Sequence, residues 1–221
     1  MVEFLVTKGK LVVRNGEPLI VVDGEEKALS KSEFILWTSL NWKILNKESL
    51  EKEFDRRMKK YGIDSEMSFE QTLNRLKTRG LVVSKSDYLA ADALYNLLKD
   101  LYVVPLGAVS TFKKAMIFGF MLIDGMPIDK CREAMADFDL KGLEKQIVCF
   151  SKRLKVSGAE LIRISDKGLW DIKSEDEIVP LAYDEHEDID SLGNCTRFSK
   201  CKEEVLEAIV NLYLKKQIVF E

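Results

Sequence analysis

The residues most open to chemistry in this 221-residue chain are a lone histidine and two late cysteines. His186 lies inside Asp184-Glu-His-Glu-Asp-Ile-Asp190, and a histidine among carboxylates is a donor set for a divalent cation. The calcium-loop pattern nevertheless fails, because its glycine and its closing bidentate glutamate do not fall at the required offsets. The stretch therefore reads as an acidic loop. Cys195 and Cys201 flank Thr-Arg-Phe-Ser-Lys. A nucleophilic thiol needs a depressed pKa and a partner base, and one histidine with no third orienting group does not make a catalytic set. Phosphate-cradling glycine loops, G-x-S-x-G and H-E-x-x-H are all missing. We expect no enzyme, no cofactor and no metal site, and a protein that works by binding.

A second group of side chains suits recognition. Gln71, Asn74, Arg75, Lys77 and Arg79 fall on one stripe of a segment whose other stripe is Phe69, Leu73 and Leu76. Asparagine and glutamine can pair with adenine, and arginine and lysine with guanine or phosphate. Arg56, Arg57, Lys59 and Lys60 form a basic cluster just upstream, and between 43 and 80 ten Lys or Arg face seven Asp or Glu. These nine polar residues are the candidate DNA contacts, the 68–79 helix reading bases and the 56–60 cluster holding phosphates.

The elements that must position them follow from periodicity. Residues 3–28 alternate as strands broken at Lys8-Gly9, Asn15-Gly16 and Asp23-Gly24, which reads as a β-meander or pair of hairpins. Ser30 with Glu33 is a capping box that opens a helix over 30–45. A helix over 47–61 follows, and Ser68 caps the helix over 68–79, which Gly80 stops. Leu81–Val83 then reads as a strand, 84–87 as a tight turn and 88–102 as a connector helix. This order, with Phe69 to Val83 passing from a basic helix end through glycine into Leu-Val-Val, resembles the winged helix-turn-helix family over residues 30–87. The resemblance implies sequence-specific DNA binding by a transcriptional regulator, acting as a dimer through the 88–102 helix or the apolar stretch 113–123. A β-meander ahead of three helices also resembles small peptide-binding domains that extend a strand edge with a bound peptide. Residues 4–22 would then supply the edge.

Farther along, helices are expected at 113–123, 128–138 and 143–154, strands at 160–164 and 169–172, a helix at 202–216 and a strand at 218–220. Phe69 to Val83 aligns without gaps on Leu206 to Phe220, matching Glu70 with Glu207 and Asn74 with Asn211. The fold expected is α+β and helix-rich: a β-meander and winged-helix domain over 1–104, then a smaller α/β module over 105–221, readable as a degenerate winged helix. Net charge is −3 and the sequence pI about 5.5, yet eight acids and no Lys or Arg lie between Ser174 and Leu192. That acidic loop, 174–192, is a candidate dock for a protein partner. With no signal peptide, no membrane span and no C-x-x-C pair, a cytoplasmic protein with reduced thiols is expected.

Overall fold

The structure, a computed structural model, describes residues 1–63, 67–106, 127–128, 140, 142–184 and 188–221. The fold is mixed α+β, with small antiparallel sheets at the N-terminal end followed by helices. The helices expected over 113–123 and 128–138 lie outside the described residues, apart from Ile128.

The first strands do not form one meander. β1 (Val2–Thr7) leaves its neighbours and pairs with β5 (Val82–Asp87), while β2 (Lys10–Arg14), β3 (Glu17–Val22) and β4 (Glu25–Ala28) make a three-stranded sheet in that order. The break falls at Gly9, where φ is +89° and an added Cβ would lie 2.4 Å from Val22 Cγ2. The Ser84–Asp87 turn expected of a wing is instead the second half of β5, which runs in register with β1 from Thr7↔Val82 to Val2↔Asp87. Polar side chains there suggested a turn, but ladder pairing uses backbone N–H and C=O groups that serine, lysine and aspartate carry as valine does.

The N-terminal helices are α1 (Lys31–Leu40), α2 (Lys47–Tyr61) and α3 (Phe69–Thr78). α1 stops short of the expected 45 because Trp42 takes φ +55° and Leu45 bridges Leu5 ahead of α2. α4 (Ala90–Leu98) is shorter than expected, and β6 (Val103–Pro105) follows it. Since β6 pairs with β7 (Ile218–Phe220), the boundary expected at 104/105 falls inside a strand of the C-terminal sheet.

The C-terminal half holds α5 (Gly142–Ser151), α6 (Gly158–Lys167), α7 (Ile178–Ala182), α8 (Ile189–Thr196) and α9 (Lys202–Leu214). The strands expected at 160–164 and 169–172 are not formed: α6 covers the first and the second lies between helices. Their apolar, β-branched residues suggested strands, but Ser157 and Glu160 close a capping box and Gly168 ends the helix in the left-handed region. The expected acidic loop is largely helical as well. Among its described acids, Glu175–Glu177 form a 3₁₀ turn ahead of α7 and Asp188 caps α8, helix starts where the dipole favours negative charge, whereas Asp184 follows α7 and accepts from Lys167 Nζ at 3.0 Å.

The aligned segments make the same connections twice. Thr7↔Val82 and Val6↔Val83 in the first half correspond to Val104↔Val219 and Val103↔Phe220 in the second. One residue before each pair, Leu5 bridges Leu45 ahead of α2 and Tyr102 bridges Ser157 ahead of α6. Among the described residues the second half therefore repeats strand, helix, bridge, helix, helix, strand, with α7 and α8 inserted before its last helix.

Two cores result among the described residues, and β1 walls one from the other. Leu5 and Val6 are both fully buried, but alternate strand residues face opposite ways. Leu5 joins Trp37, Leu40, Leu50, Phe54, Leu73 and Leu76, whereas Val6 joins Tyr95, Ile147, Leu161, Ile209 and Phe220. A polar chain ties the halves: Tyr213 Oη accepts from Trp42 N at 3.1 Å and lies 2.7 Å from Thr7 Oγ1, which donates to Asn41 Oδ1 at 3.4 Å.

Candidate functional site

α3 is mounted as the sequence led us to expect, with Phe69, Thr72, Leu73 and Leu76 buried and Gln71, Asn74, Arg75 and Thr78 exposed. Ser68 and Gln71 close a capping box, so the Gln71 amide oxygen accepts Ser68 N–H at 2.9 Å. Asn74 makes no side-chain hydrogen bond among the described residues.

The cations of this helix are engaged from within the chain. Arg79 Nη1 donates to Glu33 Oε1 at 2.8 Å and its Nη2 to the Ala28 carbonyl at 2.5 Å. Arg75 Nε lies 3.1 Å from the same Glu33 oxygen. Lys77 Nζ donates to Glu3 Oε1 at 3.2 Å. Glu33, only 1% exposed, also accepts Ser30 N–H through its other oxygen at 2.8 Å. Burial alone would raise its pKa, but Ser30 and Arg79 together hold the carboxyl below its ordinary value. Removing the arginines would leave a carboxylate stranded in the interior, so their charge is committed to the fold.

The upstream cluster divides. Arg56 and Arg57 both donate to Glu53 at 2.9 Å, and the Arg56 hydrogen bond in particular brings the Glu53 pKa down to about 2. Lys59 and Lys60 are exposed, Lys60 Nζ lying 5.7 Å from the centre of the Tyr61 ring. Of the nine expected contacts, Asn74, Lys59 and Lys60 alone carry no side-chain hydrogen bond or ion pair among the described residues. Sequence reading missed the role of Glu3 and Glu33; the capping box revealed Glu33, but not the arginines that reach it from more than forty positions away.

The β2–β3–β4 sheet offers a different surface. Asn15 and Gly16 both have positive φ, the signature of a two-residue type I′ turn, so Arg14 and Glu17 close the hairpin as a hydrogen-bonded pair. Alternation then places Val12 and Lys10 in bonded pairs and turns the N–H and C=O of Leu11 and Val13 outward, away from β3. Gly9, of the same parity, donates its outward N–H to the Phe220 carbonyl at 2.7 Å. Leu11 and Val13 have no such main-chain partner among the described residues. Leu11 packs on the N-terminal core; Val13, on the same face, is 67% exposed. Lys10, Val12 and Arg14 share the opposite face, and Arg14 reaches across it to pair with Glu26. The far edge, β4, is closed by its chemistry: Glu25, Glu26 and Lys27 fill it, and Arg79 occupies the Ala28 carbonyl.

His186 lies outside the described residues. Cys195 is exposed on α8 and Cys201 half-buried at the start of α9. Among the described residues no group of three His, Cys, Asp or Glu side chains is placed to hold a metal, and no helix is long and apolar enough to cross a membrane. α4 buries Ala93, Tyr95, Leu97 and Leu98, leaving Tyr88 and Leu89 exposed before its start.

Compared with known proteins, the chain matches no family model, no curated protein and no solved structure.

Proposed function

We propose that this chain is a non-enzymatic binding protein of the winged-helix kind whose N-terminal module captures an extended peptide segment by adding it as a strand to β2. The observation that carries the reading is the pair of outward backbone groups at Leu11 and Val13, beside an uncovered valine, on a sheet whose other edge is closed. Backbone pairing supplies affinity and the alternating side chains supply selectivity. Exposed thiols at Cys149 and Cys195 fit a reducing compartment, and the setting proposed is the cytoplasm.

A peptide display library selected on the protein and counter-selected on Val13→Pro tests this. Proline is tolerated at an edge position whose N–H faces solvent, so the variant keeps its fold but loses one donor and the room beside it. Enrichment of peptides that bind the protein and not the variant is expected; peptides that bind both alike would overturn the reading.

DNA binding through α3 is the second reading, favoured by the exposed Asn74 amide and by Lys59 and Lys60. It predicts a gel shift at low salt that weakens steeply as salt rises, because each phosphate contact releases counterions. A shift unchanged in an Asn74/Arg75/Lys77 triple alanine variant removes it.

A further inference from the structure

Resting on the strand-addition reading, we infer that the segment β2 takes is a five-residue run in which two carboxylate side chains flank three apolar ones. The pattern comes from what each position of an added strand would meet. Residues directly opposite in a ladder share a face of the sheet, so the added strand's central residue lies against Val12, and the residues two before and two after it lie against Lys10 and Arg14. Those outer positions face a cation each. Lys10 is exposed and makes no ion pair among the described residues, and the Arg14 side chain is 65% exposed despite its contact with Glu26. The two remaining positions lie against Leu11 and Val13 on the face that buries Ile20 and Val22. An apolar residue opposite Val13 covers a side chain that this face leaves open to water.

The same charges say what the edge excludes. Two copies of β2 paired antiparallel about Val12 would set Lys10 opposite Arg14, a like-charge contact that disfavours self-association. The edge is guarded against its own kind and open to an acidic visitor. Because the pattern reads the same from either end, it holds for both chain directions.

Glu26 competes for Arg14 from β4, two strands away. An exposed ion pair of this kind holds weakly, so an incoming carboxylate can take its place. Glu26→Gln therefore strengthens capture rather than weakening it.

The test uses fluorescein-labelled peptides carrying Glu-Val-Ile-Val-Glu or Lys-Val-Ile-Val-Lys between Gly-Ser ends, with binding read by anisotropy at low and high salt. The full chain should prefer the glutamate peptide by on the order of tenfold at low salt, and less as salt screens the pairs. Lys10→Glu combined with Arg14→Glu should reverse the preference, Glu26→Gln should raise affinity a fewfold, and N-methylation of the three apolar residues should abolish binding. Equal binding of both peptides, still lost on N-methylation, overturns the charge pattern and leaves strand addition standing. Binding of neither peptide overturns both.

Discussion

α3 and α9 hold the same place in the two halves, and the comparison changes how the basic end of α3 is understood. Each is the last helix of its unit, buries one apolar stripe and runs into a strand that pairs with the unit's first strand. Each also sends a cation from its C-terminal end to a carboxylate in the first turn of its unit's first described helix: Arg79 to Glu33 on α1 at 2.8 Å, and Lys215 to Glu144 on α5 at 2.7 Å. A feature found in both units, where one exposes Gln71 and Asn74 and the other Glu203, Glu204 and Glu207, belongs to the scaffold. The basic end clamps third helix to first. What differs is depth, since the Glu33 side chain is 1% exposed and that of Glu144 is 15%.

Substitutions at the wall between the cores should separate the halves most. Leu5→Ala should cost about 2–5 kcal/mol by opening a cavity in the N-terminal core. Amide exchange should accelerate first in α1–α3, whereas Val6→Ala, costing roughly 1–3 kcal/mol, should loosen α5, α6 and α9. The same exchange pattern for both variants would show that one core, not two, governs stability. Next comes Gly9→Ala, which forces a side chain into φ +89° and against Ile20 and Val22. A loss of about 2 kcal/mol in denaturant unfolding is expected.

Tyr213→Phe leaves Trp42 N–H unpaired and should cost about 1–3 kcal/mol. Burial pushes the Tyr213 hydroxyl up to about 12, above the ordinary tyrosine pKa of about 10. A raised folded pKa means the contribution is complete below the unfolded value and lost as pH climbs through the folded one, so stability should fall between about pH 10 and 12 more steeply in the parent than in the phenylalanine variant. At the clamps, Glu33→Gln should cost about 1–3 kcal/mol and Glu144→Gln less than about 1. Because the Glu33 carboxyl is held low, its contribution is present above the ordinary carboxylate pKa and lost as pH falls through the folded one. Equal losses for the two glutamines in urea unfolding would erase the distinction in depth.

Much of this scaffold was legible in the residues. α2 and α3 combine apolar periodicity with capping or stop signals, and α9 with strand β7 followed from the gapless alignment on α3 and β5. α6 was misread because Leu161, Ile162 and Ile164 crowd like strand residues, although Ser157 and Glu160 carried the same capping box that identified α1. The candidate surfaces were legible only in part. The type I′ turn at Asn15-Gly16 determines which β2 backbone groups face outward, but not that β1 departs to join β5 and leaves β2 at an edge. The face of α3 was readable; the carboxylates that meet its cations come from Glu3 and Glu33, and no local spacing encodes such long-range pairs.

Strand addition is tested most directly by residue-resolved amide exchange along β2 with and without the Glu-Val-Ile-Val-Glu peptide. The account predicts an alternating response: Leu11 and Val13 become slow, while Lys10 and Val12, already bonded to β3, stay as they were. Unchanged exchange at Leu11 and Val13 under saturating peptide, with protection appearing on α3 instead, would contradict it.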